Sequence, residues 1–108
     1  MQEQDILQIG LQLEDTYMDT PFKKDLESIV LKHKFTHKWF ALIMHVQGNL
    51  YVNVKTEPMY SELLRKNYPY ILPAYHMNKQ HWNTIVLSDK VDKKLVKELI
   101  EESYQLTS

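Results

Sequence analysis

Cysteine is absent from this chain, which excludes a disulfide framework and any thiolate metal site. Glycine occurs twice, at Gly10 and Gly48, too rarely to build a glycine-rich loop around a phosphate. No apolar run approaches the roughly 20 residues of a membrane-spanning helix. The opening Met1-Gln2-Glu3-Gln4-Asp5 is acidic and polar, unlike the basic start of a secretory signal. A cytoplasmic protein with no membrane partner is therefore expected. Ser28, Ser61, Ser88, Ser103 and Ser108 all lack the setting of a nucleophile elbow, so Ser-His-Asp catalysis has no nucleophile to start from. The expectation is a protein that is not an enzyme and uses no cofactor.

What is present fits a single domain spanning 1–108. A chain of this size can bury roughly 60–70% of its unfolded surface, enough for a core without covalent staples. The net charge of −1 conceals an asymmetry. Residues 1–27 carry seven acids and two bases; residues 28–82 carry two acids and seven bases, together with all five histidines. A basic middle could hold an anion. Helices and strands that merely use different charged residues would give the same asymmetry.

Periodicity sets out the elements. Residues 3–14 read as a helix weakened by Gly10, and 16–26, with Pro21, as a loop. Ser28–Lys34 is β-rich, and Lys34–His37 turns the chain into Lys38–Val46, which is apolar on both of its faces. Gln47-Gly48-Asn49 turns again into Leu50–Lys55, where Leu50, Val52 and Val54 face one way and Tyr51, Asn53 and Lys55 the other. Thr56 suits the N-cap of a helix over 57–67 that has Pro58 in its first turn and the pairs Met59/Leu63 and Tyr60/Leu64 toward the core. Pro69 and Pro73 flank an irregular segment; Trp82–Ser88 reads as a strand, and Asp92 caps a last helix to about Leu106. The order α-βββ-α-β-α makes an α+β two-layer sandwich, a mainly antiparallel sheet with helices packed on one face.

The most telling segment is Tyr75-His76-Met77-Asn78-Lys79-Gln80-His81-Trp82. It contains none of the Ser, Gly, Asp and Glu that fill ordinary surface loops. Aromatics beside cationic and amide groups are the side chains that meet phosphates, bases or partner surfaces. Metal binding is not expected here. His76 and His81 have no carboxylate within the tract, and His33 and His37 fall on strand and turn, where a four-residue spacing does not converge.

With Thr56-Glu57-Pro58, Glu62-Leu63-Leu64-Arg65, Tyr75–Thr84 and Glu98-Leu99-Ile100…Ser103-Tyr104 in view, the chain resembles the MmcQ/YjbR family. Leu11-Gln12-Leu13, Pro21-Phe22 and Trp39-Phe40-Ala41-Leu42-Ile43 fit the same pattern, so the resemblance covers nearly the whole chain, with Tyr75–Thr84 its specific part. The resemblance implies a CyaY-like fold and a DNA-binding-like protein, and supplies no catalytic residue. The family's Gly-rich turn between the first two strands is replaced here by Lys34-Phe35-Thr36-His37-Lys38.

Three readings follow. In the first, Lys55, Arg65, Lys66 and Lys79 contact the phosphates of DNA or RNA, His76, Asn78 and His81 add hydrogen bonds, and Tyr75 or Trp82 stacks on a base or sugar. With a pI near 6.5, such binding would be weak and strongly salt-dependent. In the second, an uncovered apolar sheet face, either Phe40, Leu42 and Met44 or Trp39, Ala41 and Ile43, meets a protein partner or a second copy as a homodimer. In the third, the tract is architectural and its polar groups tie a loop to the sheet.

Overall fold

A computed structural model describes residues 1–88 and 90–108. Its elements are α1 (Glu3–Leu11), β1 (Thr16–Asp19), β2 (Ile29–His33), β3 (Trp39–Val46), β4 (Asn49–Lys55), α2 (Pro58–Asn67), β5 (Ile71–Pro73), β6 (Trp82–Val86) and α3 (Lys93–Thr107). The six strands form one antiparallel sheet in the order β1-β2-β3-β4-β6-β5. The main core lies between that sheet and the helices, as expected of an α+β sandwich. Ile6 of α1 and Leu95, Val96, Leu99 and Ile100 of α3 close over Phe40, Ile43, Val52, Val54 and Ile85. Asp92 caps α3 as its position predicts, accepting the N–H groups of Lys94 (3.0 Å) and Leu95 (3.3 Å).

The two edge strands are the departure from the expected order. Thr16–Asp19, expected as loop, pairs with Val30–His33 as β1, and Ile71–Pro73, expected as irregular, pairs with Asn83–Ile85 as β5. Strands of four and three residues are too short to show alternation, and their pairing is supplied by the neighbouring strand. Pro73 is tolerated because β5 has only one neighbour. The first helix also ends earlier than its pattern suggests, at Leu11. There Thr16 Oγ1 donates to the carbonyls of Gly10 (3.1 Å) and Leu13 (3.0 Å), satisfying groups that the helix leaves free.

β3 does not alternate strictly. Ala41 opposes Leu31 and Trp39 opposes Lys32, so Phe40 is the extra residue of a β-bulge. The bulge puts Phe40, Ala41 and Ile43 into the helix-covered core and turns Trp39 to the other face with Leu42 and Met44. The uncovered set is therefore a mixture of the two strictly alternating sets expected. The bulge also disturbs the ladder to β4, and a buried hydroxyl of α3 repairs it. Lys55 N–H donates to Ser103 Oγ (2.8 Å), and Ser103 Oγ donates to the Phe40 carbonyl (2.6 Å).

α2 corrects two further expectations. Its N-cap is Glu57, which makes no side-chain capping bond, while Thr56 Oγ1 accepts from Asn83 Nδ2 (2.9 Å) and bonds the Ser61 hydroxyl. Met59 and Leu63, expected in the core, are 83% and 57% exposed, and Tyr60 is also exposed; Leu64 faces inward as expected, and Ser61 is buried beside it. The physical reason is Asn83. Its buried amide needs the Ser61 and Thr56 hydroxyls, and that requirement rotates the helix away from its apolar pair.

Candidate functional site

The Ala74–His81 segment crosses from β5 to β6, and its backbone is fixed at both ends by side chains of other elements. On the open sheet face, Asn53 Nδ2 donates to the Tyr75 carbonyl (2.8 Å), Tyr75 N–H donates to Thr84 Oγ1 (2.8 Å), and Thr84 Oγ1 donates to Asn53 Oδ1 (2.5 Å). At the root of the loop, Arg65 of α2 donates through Nε to Asn83 Oδ1 (2.6 Å) and through Nη2 to the carbonyls of Lys79 and Trp82. Thr56 N–H adds a bond to the His81 carbonyl (2.8 Å). Inside the loop, the Asn78 side chain accepts Gln80 N–H (2.9 Å), while its carbonyl accepts Trp82 N–H (2.9 Å).

These anchors free most of the loop's own side chains. Tyr75, His76, Lys79 and Gln80 are exposed, and among the described residues none of the four makes a side-chain hydrogen bond. His76 sits at φ 63°, a left-handed backbone that His tolerates better than most side chains. Its ring centroid lies 4.0 Å from that of Tyr75.

The nine candidate residues separate into two groups. Lys55 opposes Trp82 in the ladder, and Arg65 reaches the Lys79 and Trp82 carbonyls, so Lys55, Arg65, Lys79, His81 and Trp82 gather at the root of the loop. Lys66 follows on the outer surface of α2, beside Met59 and Leu63. Tyr75, His76 and Asn78 lie apart from these cations and line a groove on the open sheet face. Arg65 is engaged with loop carbonyls and Asn83 rather than projecting into solvent.

The groove has a volume of about 810 Å³. Leu42, Met44 and Val46 of β3 form its floor, and Trp39 also lines it, with the Phe22 ring packed edge-on at 6.3 Å between centroids. Tyr75, in turn, is edge-on to Tyr51 at 6.0 Å. Asp25, His45 and Gln47 complete the rim. Trp39 entered the sequence reading only as one member of a possible uncovered face, with Ala41 and Ile43 rather than with Leu42 and Met44, and Phe22, in a segment expected as plain loop, was missed. For Trp39 the signal was present in the doubly apolar strand, although a bulge cannot be read from composition. Phe22 carries no periodic signal.

Electrostatics distinguish the two groups. Ser28 donates its hydroxyl to Asp25 Oδ2 (2.6 Å), and the N–H groups of Glu27 and Ser28 add to it, holding the Asp25 carboxyl below its ordinary range. Lys32 is raised by the Tyr17 hydroxyl and by Asp19, its partner at 3.3 Å. Among the described residues no carboxylate pairs with Lys55, Lys66 or Lys79; Lys32 pairs with Asp19, and His45 Nε2 lies 3.1 Å from Glu3 Oε1. His33 and His37 do not converge. His33 is buried against Thr107 Oγ1 (2.8 Å), whereas His37 meets the Tyr17 hydroxyl (2.8 Å) on the surface.

Comparison with known proteins places this architecture in context. The chain is 37% identical over 102 residues to the uncharacterized protein YyaQ of Bacillus subtilis, covering 85% of this chain and 86% of that one. It is 36% identical over 73 residues to the uncharacterized YbdF of Escherichia coli O157:H7, covering 68% of this chain and about three fifths, 60%, of YbdF. A crystal structure of a Pseudomonas syringae protein superposes with a TM-score of 0.90 at 34% identity, each chain covered in full. A Deinococcus radiodurans protein superposes with a TM-score of 0.85, also at 34% identity, over 95% of this chain and 75% of its own. The YjbR family model matches residues 11–106, the span from the end of α1 to the last turn of α3, and the chain belongs to the YjbR family.

Proposed function

We propose that this chain is a small, non-enzymatic, cytoplasmic binding protein that takes nucleic acid weakly on the sheet face left open by α1 and α3. One observation carries the reading: a single anchored loop joins a cluster of cations at its root to an aromatic groove along its side. Lys55, Lys66 and Lys79 have no carboxylate partner among the described residues and suit phosphate contact. Tyr75, His76, Asn78, His81 and Trp82 supply stacking and hydrogen-bonding groups. In this reading Arg65 serves by holding the loop that carries them.

The test is a titration of labelled oligonucleotides at two ionic strengths. Three phosphate contacts predict roughly a 20- to 40-fold loss of affinity between about 50 and 200 mM salt. Lys55→Ala with Lys79→Ala should flatten that salt dependence by about two contacts while leaving the fold intact. Binding that ignores salt, or that the double substitution leaves unchanged, would remove the reading. A second reading draws on the apolar floor of the groove, Leu42, Met44 and Val46, which suits a protein partner or a second copy. Self-association that persists in high salt and is lost in Met44→Glu would favour it.

A further inference from the structure

The groove has a more specific complementarity than its apolar floor. Its lining carries two aromatic pairs, Trp39 with Phe22 and Tyr75 with His76. Its rim carries a carboxylate, Asp25, and two amides, Gln47 and Asn78, a mixture of donors and acceptors. A purely apolar occupant would gain nothing from those rim groups and would not use the cations at the root of the same loop. A nucleobase meets the groove's own features, with a flat π-face for the rings and an edge of alternating donors and acceptors for the rim, and the strand that carries it has phosphates to offer the cations at the root of the loop.

Resting on the nucleic-acid reading, we infer that the groove between the Phe22–Ser28 segment and the Tyr75–Asn78 loop holds one unpaired base of a single strand. The base stacks against Trp39 and is walled in by Tyr75. Stacked duplex bases have both faces covered by neighbours and cannot present one to a ring set in a groove, so the geometry selects single strands over duplex. The loop conformation is part of the site. The left-handed backbone at His76 and the Asn53–Thr84 clamp on Tyr75 fix the wall before any ligand arrives.

The experiment compares an oligothymidylate with an abasic strand of equal length and charge. Affinity is read by anisotropy, and the Trp39 indole N–H is followed by NMR. The intact strand should bind roughly 5- to 150-fold more tightly than the abasic one, the range expected for one stacked base. It should shift the Trp39 resonance. Trp39→Ala and, separately, Tyr75→Ala should bring the intact strand down to the abasic level and leave abasic binding unchanged. Tyr75 is 41% exposed, so its variant tests the site even if Trp39→Ala fails to fold. Equal binding of the two strands, or duplex bound as tightly as single strand, overturns the base site while leaving the phosphate surface standing. A mononucleotide that competes as well as the oligomer overturns the strand. Absence of binding to either strand at low salt overturns this inference and the proposed function together.

Discussion

Replacing Arg65 by Ala is the sharpest probe of how this protein builds its loop. The guanidinium makes three bonds, but their loss is not equally costly. The Trp82 carbonyl keeps the Ala74 N–H (3.2 Å), and the Lys79 carbonyl, in an exposed segment, can turn to water. Asn83 is different. It is 1% exposed, its amide nitrogen is committed to Thr56 and Ser61, and Arg65 Nε (2.6 Å) is the partner of its oxygen. An orphaned buried oxygen costs about 1–3 kcal/mol, so Arg65→Ala should lose about 2–3 kcal/mol once the packing of the half-buried side chain is included. Arg65→Lys should recover little, because an ammonium cannot span the fork. In the double substitution with Asn83→Ala the orphan disappears, while Thr56 and Ser61 still bond each other, so the two costs should fall short of additive by about 1 kcal/mol or more. Urea unfolding measures these losses. Amide exchange at Thr56, whose N–H reaches the His81 carbonyl, reports whether the loop opens at its root. A loss under about 0.5 kcal/mol with Thr56 protection unchanged would refute the clamp.

Leu99 is 1% exposed in the middle of the α3 stripe, so Leu99→Ala should cost about 2–5 kcal/mol in chemical denaturation; a loss below about 1 kcal/mol would mean that α3 is held by other contacts. Gly10→Ala should destabilise by about 1–2 kcal/mol despite the better helix former, because a Cβ there would lie 2.3 Å from Leu31 Cδ1, itself fully buried; a rise in thermal midpoint would show that Leu31 has room to move. Burial, partly opposed by the Tyr104 backbone and assisted by the charge of Lys38, holds His33 below the ordinary histidine range. The unfolded chain therefore takes up the proton before the folded one does, and stability should fall as pH drops through about 6.5 toward the lower folded value. Urea midpoints between about pH 7.5 and 5.5 should show this slope. The slope should flatten in His33→Phe, and an undiminished slope in that variant would assign the effect elsewhere.

The sequence by itself determined the class of the fold and most of its elements. The switch from helical to alternating period and back is a local property, and β2, β3, β4, β6 and α3 lie within a residue or two of where it puts them. The Asp92 cap was equally legible, since capping involves neighbours in sequence. The Tyr75–Trp82 composition marked the loop as unusual, because side chains that bind are rarely spent on plain connections. Only the tertiary structure decided which side chains the loop leaves free. Three of its four anchors, Asn53, Arg65 and Thr56, come from elements well before it in the chain, and no local pattern connects them. The same applies to the bulge that turns Trp39 onto the open face, to the two edge strands that exist through their neighbours, and to the outward face of α2. In each case a backbone or buried polar group had to find a partner across the fold, and that requirement overrode the apolar periodicity from which the sequence is read.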